Sequence, residues 1–124
     1  MADNTEVINQ AYAAFAAGDI PALLALMSDE VEWDCPKPLP TAGSYHGPDG
    51  VGEFFAGIAR DWPELNIGID DMVASGDNVV GVGHAEGKLA SGDAATYGFT
   101  HVFTLADGKV VRFREYVAPG EGLL

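Results

Sequence analysis

A chain of 124 residues fits one domain of ordinary size, and a hydrophobic share of 48 % is enough for a real core. A formal net charge of −13 repels phosphate backbones and anionic lipid, which argues against a nucleic-acid or membrane partner. No apolar run approaches the roughly 18–20 residues that span a bilayer, the N-terminal MADNTEVINQ is unlike a secretory leader, and Cys35, the only cysteine, has no internal partner, so a cytoplasmic protein is expected.

The first segment reads as a helix. Ile8, Ala11, Tyr12 and Phe15 recur at helical spacing, Asp3 with Glu6 resembles a capping box, and Gly18 is placed to end it. A second, short helix follows, capped by Asp19, with Pro21 in its first turn and Leu23, Leu24, Leu26 and Met27 as apolar contacts. Val31, Trp33 and Cys35 alternate with Glu32 and Asp34, which predicts a short strand. PKPLPTAGSYHGPDG reads as a long loop. A third helix carries Val51, Phe54, Phe55, Ile58 and Trp62, and Pro63 ends it.

From Leu65 the period becomes two. Leu65, Ile67, Ile69 and Asp71 are expected on one face, SGDN turns the chain, and strands follow over 79–89, 96–105 and 109–117. Helices first and strands afterwards predict a single α+β domain over 1–124: three helices in the concave face of a strongly curved antiparallel sheet, shaped like a cone.

The last hairpin decides what shares a face. A two-residue turn at Asp107–Gly108 would set His101 opposite Arg114 and Phe103 opposite Arg112. A three-residue loop, Ala106 to Gly108, pairs Phe103 with Val111, His101 with Phe113 and Phe99 with Glu115. The second register sorts apolar from polar and is expected here. It turns Phe99, His101, Phe103, Leu105, Val111, Phe113, Glu115 and Val117 inward, with His101 and Glu115 as diagonal neighbours roughly 7–8 Å apart.

INQAYAAFAAGDIPALLALMSDEVEWDCP, then YHGPDGVGEFF, then HVFTLADGKVVRFREYV together resemble the nuclear transport factor 2-like superfamily, in its SnoaL-like polyketide-cyclase and ketosteroid-isomerase-like branch. The resemblance covers almost the whole chain. It implies a helix-filled, bent sheet with a pocket at the cone's mouth and frequent homodimers, but it is a poor guide to reaction. The isomerase base would stand at Cys35, their oxyanion-hole acid at His101, and their oxyanion tyrosine near Tyr12. The epoxide-hydrolase pattern would need His84 and Glu86 beside Glu115. The SnoaL-type cyclases fit better, with a pocket histidine at His101 and the acid/base carboxylate at Glu115.

A carboxylate facing an apolar cavity is a competent general base near neutral pH. Glu115 is read as that base and His101 as the group that donates to, or orients, an enolate oxygen. The competing readings are a Glu115–Arg pair at a sheet edge and a hydrogen-bonded core histidine. His84 and Glu86 either enter the pocket or lie on the outer face. Trp33, Tyr45, Phe54, Phe55, Phe99, Phe103 and Phe113 together imply an apolar wall. Tyr12 either turns its hydroxyl inward or packs as a helix residue, and Cys35 reads as a small buried hydrophobe within the site. His46 sits in a loop. The histidines and acids show no metal-ligand spacing, so neither metal nor cofactor is expected. Val102, Arg112, Arg114 and Tyr116 share the outer face, which suits a homodimer. GVG at 81–83 lies inside a strand and is no phosphate loop.

The expectation is thus a small cofactor-free enzyme, doing cyclase- or isomerase-like acid/base chemistry on an apolar carbonyl compound. The alternatives are a non-catalytic ligand carrier, a dimeric interaction module and an epoxide hydrolase.

Overall fold

Asp3 starts the first helix, α1 (Asn4–Ala16), its carboxylate accepting the Glu6 N–H at 2.8 Å. Val7, Ile8, Ala11 and Ala14 are its buried stripe, and Gly18 follows its end at φ +70°, a left-handed conformation that glycine adopts without strain. Asp19 caps α2 (Ile20–Leu24) through the Ala22 N–H. The structure, a computed structural model, describes residues 3–123.

The remaining elements are β1 (Met27–Cys35), β2 (Gly43–His46), α3 (Gly47–Asp61), β3 (Glu64–Ser75), β4 (Asn78–Lys88), β5 (Ala94–Ala106) and β6 (Lys109–Pro119). The helices pack on one curved, unclosed sheet of six strands in the order β2-β1-β6-β5-β4-β3. The fold is α+β, as the pattern of helices then strands predicts. Three details differ. The β1–β6 pair is parallel, because β1 enters the sheet from the helical half and β6 from a hairpin. Met27 belongs to β1 rather than to the second helix, pairing with Val110. The Pro/Gly stretch is not wholly loop: Gly43–His46 pairs with β1 as an edge strand, Trp33 opposite Tyr45.

The last hairpin corrects the expected register. Ala106 pairs with Lys109 around Asp107 and Gly108, at φ 52° and 76°. That is the two-residue turn with both central residues left-handed, the geometry that matches strand twist. A bulge then restores the sorting of faces: Leu105 pairs with Val110 and Thr104 with Arg112, leaving Val111 unpaired. Val110, not Val111, is fully buried. Beyond the bulge Phe103 faces Phe113 and His101 faces Glu115 directly, not diagonally. A second bulge leaves Asp70 unpaired in β3, so Asp71 turns to solvent and Met72 packs against the core in its place.

Candidate functional site

β5 alternates cleanly: Ala95, Tyr97, Phe99, His101, Phe103 and Leu105 are all buried on its inner face. From β6, Val110, Phe113 and Glu115 join them. The helices cover this surface incompletely. An apolar cavity with about 70 Å³ of free space remains between Tyr12 and Phe15 of α1, Phe54, Phe55 and Ile58 of α3, and Trp33, Leu65, Ile67, Tyr97, His101, Phe103, Phe113 and Glu115 of the sheet. Ala11, Leu23 and Met27 complete its wall.

One polar chain crosses that wall. The Tyr12 hydroxyl lies 2.8 Å from His101 Nδ1, and His101 Nε2 lies 3.1 Å from Glu115 Oε2. The Cys35 thiol donates to Glu115 Oε1 at 3.6 Å and lies 3.6 Å from the Thr41 hydroxyl. Burial pushes the Tyr12 phenol well above its usual value, and the Glu115 charge pushes it further. Burial, then the same charge, moves the Cys35 thiol up to about 12, against a smaller opposing hydrogen bond from Thr41. Both groups therefore keep their protons and act as donors. With Glu115 ionised and the imidazole neutral, one arrangement satisfies every atom: Tyr12 O–H donates to Nδ1, and Nε2–H donates to the carboxylate. Phe99 stacks on the imidazole with centroids 4.0 Å apart and fixes the plane of the ring.

Tyr12 reaches His101 because of a glycine. Gly81 faces His101 across β4–β5, and a Cβ there would stand 2.7 Å from the Tyr12 hydroxyl oxygen. The GVG stretch therefore serves close approach, as glycine inside a strand often does.

Tyr12, Trp33, Phe55, Phe103 and Phe113 thus meet His101 and Glu115 at the cavity, and Phe54 lines it too. Three expected lining residues stand behind it instead. Phe99 backs His101, Cys35 backs Glu115, and Tyr45 packs edge-on to Phe54 while donating its hydroxyl to the Thr41 carbonyl. His84 and Glu86 are not in the site. Gly81, Gly83 and Ala85 take the inward positions of β4, so His84 and Glu86 point out to solvent, and His84 meets Asp70 on the surface. An epoxide-hydrolase constellation is thereby absent from the cavity. His46 is also outside, beside Glu32 at 2.9 Å.

Sequence reasoning missed Tyr97 and Thr41. Tyr97 shares the parity of Phe99 and His101 and lines the cavity, so alternation alone would have found it. Thr41 is buried in a loop that gives no periodic signal. On the far side of Glu115 lies a wider, more polar depression of about 330 Å³, bordered by Asp34, Cys35, Ser44, Arg112, Arg114, Tyr116 and Glu115 itself. Among the described residues no three of His, Cys, Asp and Glu converge as a metal site requires, and no helix is long and apolar enough to cross a membrane.

The SnoaL-like domain family matches residues 8–113, and the chain belongs to that family. Among solved structures, a nuclear transport factor 2-like protein of unknown function from Burkholderia pseudomallei superposes with a TM-score of 0.87 at 28 % identity, over 95 % of this chain and 92 % of its own. TerC, co-crystallised with polyporic acid, is 30 % identical with a TM-score of 0.82, over 93 % of this chain and 91 % of its own. A Pseudomonas putida protein provisionally named a polyketide cyclase is 26 % identical with a TM-score of 0.75, over 94 % of this chain and 92 % of its own. No curated protein matches in sequence.

Proposed function

We propose that this SnoaL-like protein binds a compact, apolar carbonyl compound in its cavity and uses Glu115 to remove a proton next to the carbonyl. The observation that carries the reading is a carboxylate only 6 % exposed, held by His101 and Cys35, at the edge of an otherwise apolar space. A carboxylate so placed can take a proton from a molecule bound beside it. The C–H bond breaks toward Glu115, and its electron pair becomes the enolate. Return of the proton to another carbon isomerises the substrate; attack of the enolate on a second carbonyl closes a ring. His101 is a positioning residue here, because Tyr12 and Glu115 occupy both of its ring nitrogens. The polar depression on the other side of Glu115 gives the captured proton a route to solvent.

The free space bounds the ligand. At ~10–15 Å³ for each water it could hold, the cavity takes a molecule of one or two rings unless its walls move. Co-crystallisation of TerC with polyporic acid supports small-molecule binding by this branch of the fold. A homodimer through Val102, Arg112, Arg114 and Tyr116 is the assembly we favour, since Tyr116 is 55 % exposed and Arg112 and Arg114 form no ion pair among the described residues.

The test is proton exchange of 1-indanone in D₂O, followed by the loss of its C2–H signal in NMR. Exchange above the buffer rate, lost in Glu115→Gln, supports the enzyme reading. Binding of 1-indanone without exchange replaces it with a ligand carrier.

A further inference from the structure

Tyr12, Tyr97, His101 and Glu115 border the cavity, and three of them spend their hydrogen bonds on one another. Tyr12 is committed to His101, and His101 to Glu115. The hydroxyl of Tyr97 has no partner among the described residues, whereas that of Tyr45, behind the wall, is spent on the Thr41 carbonyl. Nor is it closed off. The partnerless side-chain atoms that are sealed among the described residues are Trp33 Nε1 and Arg114 Nε, and the Tyr97 oxygen is not with them. It therefore looks onto open space, and the space that Tyr97 borders is the cavity.

The sheet register places this ring. Ile67 of β3, Ala85 of β4 and Tyr97 of β5 lie in one row across the inner face. Ala85 is the smallest of the three, so the row dips between its neighbours. Trp62 and Phe99 hold the Tyr97 ring, with centroids 5.9 and 6.3 Å away. The β3 residues on this part of the wall, Leu65 and Ile67, are apolar, so the Tyr97 hydroxyl is the polar contact there. Burial holds the phenol above its usual value, and the Glu115 charge, reaching it through the same interior, adds to this. Tyr97 thus meets a ligand as a neutral O–H.

Its distance from the carboxylate sets what it would read. Glu115 pairs with His101, and Tyr97 precedes His101 by two pleats of β5, ~13 Å along the strand. A ligand that offers a C–H to Glu115 and lies along β5 brings its far end to Tyr97. We infer that Tyr97 is a specificity residue whose hydroxyl pairs with a second oxygen at the far end of the ligand, so that the cavity prefers a ring ketone bearing a hydroxyl or further carbonyl to one bearing a methyl group there. The inference rests on the ligand-cavity reading above and narrows its substrate class. A ligand oxygen satisfies the phenol; a methyl group of the same size displaces water from it and returns no hydrogen bond, which a site tolerates poorly.

The test titrates 1-indanone, its 5- and 6-hydroxy derivatives and their methyl counterparts into protein carrying ¹³Cζ-labelled tyrosine. The protein has four tyrosines, and single Tyr→Phe variants assign their signals, that of Tyr97 by elimination even where Tyr97→Phe folds poorly. At one ring position or both, the hydroxy compound is expected to bind roughly tenfold more tightly than its methyl counterpart. The same hydroxy compound should move the Tyr97 signal. Tyr97→Phe should bring the pair to parity, and Tyr45→Phe, whose hydroxyl is spent behind the wall, should leave the preference intact. Equal affinities at both positions, or an unmoved Tyr97 signal, overturn the inference; binding of 1-indanone then leaves the cavity reading standing. A preference that survives Tyr97→Phe overturns it in the same way. Failure of 1-indanone and all its derivatives to bind removes the cavity reading and this inference together.

Discussion

Of the three histidine–carboxylate pairs on neighbouring strands among the described residues, two measure 3.1 Å: His101–Glu115 across β5 and β6, and His84–Asp70 across β4 and β3. Their surroundings are opposite. The side chains of the first pair are 11 % and 6 % exposed, those of the second 63 % and 60 %. Each histidine even faces a glycine across β4–β5, Gly81 for His101 and Gly98 for His84. The pair itself is therefore not the signal. In water such a contact is screened and contributes ~0–1 kcal/mol. Inside an apolar wall the same atoms must satisfy one another.

The largest expected difference between the pairs is catalytic. Glu115→Gln should lower the rate of 1-indanone exchange by ~10²-fold or more, the range lost with a positioned general base. Asp70→Asn should leave that rate unchanged, since Asp70 lies outside the cavity. Equal loss from both substitutions would dissolve the distinction. Stability should divide the same way. His101→Ala strands the Tyr12 hydroxyl and Glu115 together, at a cost of ~3 kcal/mol in urea unfolding. His84→Ala should change stability by less than ~0.5 kcal/mol.

The two pairs also mark where the sequence could and could not be read. The inward parity of β5 was legible because Phe99, Phe103 and Leu105 alternate with Gly98, Thr100 and Thr104, and His101 shares their phase. β4 was not, because its valines mislead. Val82 is 41 % exposed while Gly81, Gly83 and Ala85 point inward, so hydrophobicity alone cannot assign the face of His84 and Glu86. The bulges at Val111 and Asp70 were invisible for a related reason. Adjacent residues of one kind, Val110–Val111 and Asp70–Asp71, carry no alternation from which to locate an extra residue. At the last hairpin the unseen bulge compensated for the wrong loop length. Glu115 therefore kept its inward face while its partner changed from Phe99 to His101. The short β2 edge strand was hidden because its residues are exposed or half-buried and lie among prolines and glycines. The unpaired Trp33 N–H is a three-dimensional fact with no counterpart in a one-dimensional pattern.

A smaller effect tests the glycines opposite the two histidines. Gly81→Ala drives a methyl group against the Tyr12 hydroxyl, which can move only by giving up its hydrogen bond to His101. A loss of ~1–3 kcal/mol and a weaker exchange activity are expected. Gly98→Ala meets only the Ala118 methyl and the Gly83 carbonyl, at 3.7 and 3.8 Å, and should be tolerated. Equal tolerance at both positions would mean that Tyr12 does not depend on that gap.

A further effect is in the pH dependence of stability, and it arises on the buried side. Cys35, Tyr12 and Tyr97 all hold their protons more tightly in the fold than in the unfolded chain, chiefly through burial. For a raised folded value the stabilising share is complete below the unfolded value and fades as pH rises toward the folded one. The window for Cys35 thus runs from 9.0 to about 12, and the two phenols begin to act above 10.0. Urea midpoints should fall as pH climbs from 9 toward 11. Cys35→Ala should make that fall shallower, because only the unfolded chain of the wild type gains a thiolate there. His84→Ala and Asp70→Asn should leave the slope as it is, since neither touches a group that titrates in this window. A slope unchanged by Cys35→Ala would mean that the thiol is not shielded in the fold, and Glu115 would then lose one of the two donors that hold it.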